Sequence, residues 1–247
     1  MSISSAPTER LRANASHYLM EAALLGLFML SACGFCVLVE HDSSPVRHAV
    51  DSALARRAIL GAAMGATAVT LSLSPWGRRS GAHLNPAFTL ALLRLGRVHP
   101  LDAAAYAIAQ LLGGALGVGV AAVLLGGMLA DPAVNYVVTV PGPLGAAPAF
   151  AAELGIATVT MAAVLIVSGS RFARATPLVV GLLLALYITL EAPLSGMSLN
   201  PARTLASAIF AGDYRSVWVY LSAPVIGMWL PAELWRRGRA EGLARAE

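Results

Sequence analysis

"SGAHLNPAFTL" occupies residues 80–90 and returns as "SGMSLNPARTL" at residues 195–205, with eight of eleven positions identical. Both copies are polar and helix-breaking, and both interrupt long apolar sequence. Asn is a favoured N-cap and Pro a favoured first helical residue, so Asn85-Pro86-Ala87 and Asn200-Pro201-Ala202 each open a helix. The apolar runs that follow are each about ten residues, or ~15 Å of helix. That length reaches half-way across a hydrocarbon core of about 30 Å.

The surrounding composition makes the bilayer the solvent. The 247 residues are 57% hydrophobic and 12% charged, with mean hydropathy +0.71. A soluble domain carries about a quarter charged residues. Six spans are expected, at 18–39, 56–74, 102–129, 150–169, 177–193 and 217–235, apolar all round rather than on one face. The repeated segments fall between spans two and three and between spans five and six. The chain therefore reads as an all-α membrane protein with six transmembrane helices and two re-entrant half-helices. Its halves cover about 18–130 and 149–236, joined by a Pro/Gly-rich linker at 131–148. Three spans per half invert the second half relative to the first, placing the site near the midplane.

All 17 basic residues are Arg. They concentrate in the tails and in the loops that share their side, which puts both termini in the cytoplasm. The N-terminus lacks a short apolar region followed by a cleavage site, so it reads as a tail rather than a signal peptide. A net charge of +4, spread beside the spans, points to no nucleic-acid partner. Cys33 and Cys36 are spaced C-x-x-C, but their apolar surroundings favour two small residues of a buried helix over a redox pair. No metal-ligand cluster is legible, and no cofactor is expected.

Two helix N-termini meeting at mid-membrane concentrate positive potential. The Asn85 and Asn200 amides can donate there to a passing oxygen, while a cation is repelled. Ahead of each motif, the carbonyls of Gly81, Ala82 and His83 and of Gly196, Met197 and Ser198 cannot pair within a helix. Such backbone is tolerated at this depth where it lines a cavity. Glu21 and Glu153, in the first span of each half, are costly in hydrocarbon and are expected to accept from the loops' N–H groups. Arg203, where the first copy has Phe88, brings a fixed charge that repels cations and orients hydrogen-bonding solutes. His83 reads either as loop scaffold or as a gate. Gly113 and Gly117 have small-xxx-small spacing, for the interior or for a subunit interface.

The two motif copies, with the six spans and inverted halves, resemble the aquaporins of the major intrinsic protein family over nearly the whole chain. The resemblance implies a homotetramer with one pore per subunit in the inner (plasma) membrane, passing water or small neutral solutes passively. It also implies a constriction formed by Met64 (or Gly65), Ile188, Met197 and Arg203. Water-selective members typically carry Phe, His, a small residue and Arg there; glycerol facilitators carry Trp, Gly, Phe and Arg. This set has no histidine and is apolar on three sides, which resembles less selective members. Thr204 and Ala208, where facilitators usually have Asp and a basic residue, favour the water type. Water conduction is the leading expectation, and a glycerol- or metalloid-type facilitator the alternative. A secondary transporter would need midplane ion ligands beyond Glu21 and Glu153. Opposed helix N-termini argue against a cation channel. An enzyme would need an acidic partner for Ser80, Ser195 or His83.

Overall fold

The computed structural model describes residues 7–244. Among them, six helices are long and apolar enough to cross a membrane. We number the eight principal helices α1 (Pro7–Glu40), α2 (Ala53–Leu73), α3 (Pro86–Arg94), α4 (Pro100–Leu125), α5 (Ala146–Ser168), α6 (Thr176–Leu190), α7 (Pro201–Ala211) and α8 (Val217–Ala244). The short α3 and α7 are the half-helices. Residues on the outer faces confirm that the spans are apolar all round: Val123 is 85% exposed and Leu116 69%. Such side chains belong against lipid or another subunit, not water.

The packing follows the repeat. α1 lies along α4, and α5 lies along α8. Each half-helix packs on the last span of the opposite half, α3 on α8 and α7 on α4, so the halves interlock. α2 and α6 close the ring between them.

Glycine sets the closeness of two of these contacts. A Cβ on Gly117 would lie 2.2 Å from the Gly26 carbonyl oxygen, and one on Gly113 would lie 2.0 Å from that of Ala22. The small-xxx-small pair of α4 therefore serves the interior, against α1. Gly61 and Gly65 do the same for α2, where a Cβ at either would lie 2.5 Å from a carbonyl oxygen of α6, Ala185 or Gly181 respectively.

Several span edges differ from the sequence expectation. α6 stops at Leu190, and residues Ala192–Ser195 form a separate helical turn leading into the second re-entrant loop. α2 begins at Ala53, so Arg56 and Arg57 lie in its first turns rather than at its edge. Arg56 is buried, bonding Glu40 at 3.0 Å and the carbonyls of Val50 and Asp51 at 2.9 Å each. Paired this way, an arginine can enter a helix where an unpaired one would be expelled. Cys33 is buried and Cys36 half-buried on α1, and both thiols are free.

Overpacking a backbone contact costs about 1–3 kcal/mol. Gly117→Ala should therefore lower the thermal unfolding temperature of the purified protein. Gly34→Ala, where a Cβ meets nothing within 4 Å, should leave it unchanged.

Candidate functional site: two opposed loops and the cavity they line

Each repeated segment approaches its half-helix through strained backbone. In the first, Gly81 has φ +95°, Ala82 +48° and Leu84 +49°; in the second, Gly196 has +79°, Met197 +51° and Leu199 +59°. Left-handed non-glycine residues cost of order 1 kcal/mol each and persist only where surroundings over-determine them.

The surroundings are two buried carboxylates. Glu21 accepts from the Ser80 hydroxyl (2.7 Å), the backbone N–H groups of His83 (2.9 Å) and Leu84 (2.7 Å), and the Gln110 amide (2.9 Å). Glu153 accepts from the Ser195 hydroxyl (2.9 Å) and from the N–H groups of Ser198 (2.6 Å) and Leu199 (2.7 Å). The loop donors correspond one to one under the repeat. All of them are donors only towards the carboxyl, which suits an acceptor-only carboxylate. A tyrosine completes each frame: Tyr106 donates to the Ser80 carbonyl at 2.7 Å and Tyr220 to that of Ser195 at 2.6 Å.

The loops then clasp each other. Asn85 caps α3 by accepting from the Ala87 N–H at 2.8 Å, and its amide donates across to the Leu199 carbonyl at 2.8 Å. Asn200 caps α7 by accepting from Ala202 (3.0 Å) and Arg203 (3.3 Å), and donates across to the Leu84 carbonyl at 2.7 Å. Each amide retains a second hydrogen. Both asparagines border a cavity of about 410 Å³ that also reaches Arg78, His83, Phe88 and Arg203. Its remaining wall is largely apolar, from Leu25, Phe28, Val164, Val180 and Leu184.

The expected carbonyl file divides. Among the described residues, no protein donor reaches the carbonyls of Gly81, Ala82, His83, Gly196, Met197 or Ser198. Gly81, Ala82, His83 and Ser198 border the cavity; Gly196 and Met197 do not. Gly196 is covered by the linker: a Cβ there would lie 2.8 Å from the Val140 carbonyl oxygen.

Of the four expected constriction residues, the cavity reaches only Arg203. Met64 and Met197 are 2% and 4% exposed and sit in two adjoining apolar clusters, and Ile188 packs against both. Gly65 faces α6 at backbone distance, whereas Met64 faces the central cluster with Met29 and Ala202.

The linker contributes what the sequence did not reveal. Its residues Asn135, Tyr136 and Val137 turn in left-handed backbone, and Thr139 is buried beside α7. Arg203 Nη1 donates to Thr139 Oγ1 at 2.8 Å. Thr139 Oγ1 lies 2.9 Å from Thr204 Oγ1, which contacts Ser198 Oγ. Ser198 spends its own proton on the Asn200 carbonyl at 3.0 Å. One proton direction satisfies the chain: Arg203 to Thr139, to Thr204, to Ser198, to Asn200. Arg203 is thus tethered to the capping asparagine through three hydroxyls. The same bookkeeping orients His83. Thr89 donates to the Asn85 carbonyl at 3.0 Å, so its oxygen accepts from His83 Nδ1 at 3.1 Å.

Glu191 stands apart. It lies one residue beyond the apolar span, and neither carboxyl oxygen has a hydrogen-bond donor. Burial lifts its pKa from 4.5 to about 7, and the nearby Glu153 charge adds to the rise; the neighbouring Ser195 hydroxyl is spent on Glu153.

Residues 12–235 match the family model described as Major intrinsic protein. The chain is 34% identical over 165 residues to Aquaporin NIP1-1 of Oryza sativa subsp. japonica, covering 65% of this chain and 55% of that one. It is 32% identical over 227 residues to Glycerol uptake facilitator protein-like 6 of Lactiplantibacillus plantarum, covering 85% and 93%. The chain spans about half the length of several of the curated relatives it matches, the rice protein among them. Among solved structures, the aquaglyceroporin from Plasmodium falciparum superposes with a TM-score of 0.75 at 21% identity, covering 90% of this chain and 95% of that one.

Glu153→Gln keeps one acceptor oxygen and puts an NH2 in place of the other, so either the Leu199 N–H on Oε2 or the Ser195 hydroxyl and Ser198 N–H on Oε1 lose their acceptor. Leaving buried donors unpaired costs about 1–3 kcal/mol each, so the variant should unfold at lower temperature and conduct less; wild-type behaviour in both would remove Glu153 from loop support. The Glu191 carboxyl binds its proton more tightly folded than unfolded. Stability is therefore full at acid pH and falls as pH rises from 4.5 towards about 7. Thermal unfolding of Glu191→Gln should show a smaller decline across that window than wild type.

Proposed function

The chain belongs to the major intrinsic protein family, and from that premise we propose that it is a passive membrane pore for water and small uncharged solutes that excludes protons and ions. One observation carries the reading: two half-helix N-termini meet head to head at the cavity, each presenting an asparagine amide with a spare donor. Each N-terminus carries about half a positive charge. A neutral solute with lone pairs is received there, and a cation meets two positive ends and Arg203.

The constriction in this reading is Met64, Ile188, Met197 and Arg203, with Asn85, Pro86, Ala87, Asn200, Pro201 and Ala202 at the midplane. The free carbonyls of Gly81, Ala82, His83 and Ser198 supply acceptors along the cavity, and in this reading those of Gly196 and Met197 continue the path beyond it. Glu21 and Glu153 support the loops. A facilitator of glycerol-sized or metalloid neutral solutes is the second reading. It is favoured by the three apolar constriction residues, by the apolar cavity wall and by the name of the Lactiplantibacillus relative.

Family membership supports a homotetramer in the inner (plasma) membrane. An even number of spans supports both termini lying on one side, and the arginine distribution supports the cytoplasmic side. The halves in this reading are 18–130 and 149–236, with 131–148 both linker and support for Arg203.

Purified protein in proteoliposomes, challenged by stopped flow with sucrose and with glycerol, tests the reading. Fast shrinkage in both, with glycerol re-entry no faster than in empty liposomes, marks a water-selective pore. Fast re-swelling marks the facilitator. Shrinkage no faster than in empty liposomes, with no re-entry, overturns a constitutive pore. Arg203→Ala should admit larger solutes and raise proton leak.

A further inference from the structure

The repeat poses a question that the outer arginine does not answer. Under the 115-residue register Phe88 is the counterpart of Arg203, each following its Asn-Pro-Ala directly. Both border the same cavity. They occupy the first turns of helices that diverge from the midplane, so Phe88 stands on the half of the path opposite Arg203.

The side chain is half-buried rather than sealed in the core. One part packs against the cluster containing Ala87, Ile156 and Ala157, and the rest faces the cavity. His83, also on the cavity wall, meets it edge to face, with ring centroids 5.6 Å apart at 87°. His83 is itself held by Thr89 at 3.1 Å and lies against Tyr106, ring centroids 4.7 Å apart and planes tilted by 40°. Phe88 is thus braced from two sides, and an aromatic ring has only two side-chain torsions with which to fold away. Across the cavity stand Val164 and Val180.

We infer that Phe88 is a second specificity-determining residue, an aromatic shoulder on the cytoplasmic half of the path that limits the cross-section of neutral solutes in series with the Arg203 end. This rests on the pore reading above. Barriers in series add, so a solute must pass both. At the Arg203 end it can exchange water for guanidinium donors. At Phe88 it meets a ring with no hydrogen-bonding group of its own, beside the free carbonyls of Gly81, Ala82 and His83, so bulk is discriminated there by its fit against the ring. One methylene in an apolar site discriminates by about 10–200-fold, so a rigid ring is enough to set a size cut-off.

The test uses full-length wild type, Phe88→Ala and Phe88→Trp in proteoliposomes, with stopped-flow permeabilities for water, urea, glycerol and erythritol. Phe88→Ala should raise the permeability of the largest solute that wild type restricts by about tenfold, with a smaller effect on water. Phe88→Trp should lower glycerol relative to water by a similar factor. Opposite shifts from the two variants separate a shoulder in the path from a packing residue, whose loss would lower every permeability together. Parallel losses, or an unmoved size order in variants that conduct water like wild type, overturn the inference while leaving the pore reading intact. Wild type that conducts neither water nor solute overturns the pore reading itself, and the Phe88 inference with it.

Discussion

Two carboxylates buried in a hydrocarbon-facing bundle hold up everything else. The re-entrant loops run through left-handed backbone at non-glycine positions, which is unfavourable locally and leaves N–H groups without helical partners. Glu21 and Glu153 supply the missing acceptors at 2.6–2.9 Å. In water such bonds would be worth little, since solvent would replace them. In a bundle shielded from water, each N–H left unpaired would carry its full desolvation cost, and so would each carboxylate without donors. The two costs cancel only when the loop and the glutamate are in place together.

With the loops fixed, the asparagines can do two jobs at once. Each side-chain oxygen caps its own half-helix, and each amide ties that helix to the opposite loop. The clasp keeps two helix N-termini apposed although their partial charges repel. That repulsion is the feature a cation would encounter, and its maintenance is a structural problem solved by neutral amide–carbonyl bonds. The interlocking of each half-helix with the last span of the other half gives the clasp a rigid frame. Glycine permits that frame: where Gly113 and Gly117 meet α1, there is no room for a methyl group.

Symmetry is broken where the two ends of the path differ. The second half adds the linker, whose Thr139 receives Arg203 and passes a directed chain of hydroxyls back to Asn200. The first half has no such arm and places Phe88 against His83 instead. Directly after its Asn-Pro-Ala, one half therefore presents a guanidinium and the other an aromatic ring. Glu191 lies close to this second loop as a carboxyl without donors, beside a serine already committed to Glu153. Its proton, rather than a partner, relieves its burial.

Much was legible in the residues alone. Hydropathy set six spans, because a bilayer accepts only long apolar helices. The duplicated Asn-Pro-Ala marked both half-helices, because capping chemistry is local. Glu21 and Glu153 stood out as charges in apolar sequence. The family resemblance of the motif pair drew attention to Arg203, which borders the cavity, whereas Ile188 and Met197 lie in the apolar clusters beside it. What required the tertiary structure depends on contacts between distant segments. Thr139 carries no local signal within a Pro/Gly-rich linker, and its role exists only because that linker folds onto α7. Tyr106, Tyr220 and Gln110 look like ordinary span residues until their hydroxyls and amide meet the loops. Glycine spacing announced close packing but could not say against which helix, and Met64 and Gly65 could not be separated by counting. Sequence reports what a segment does by itself or by repetition; which side chain completes a hydrogen bond across the bundle is decided by how the segments pack.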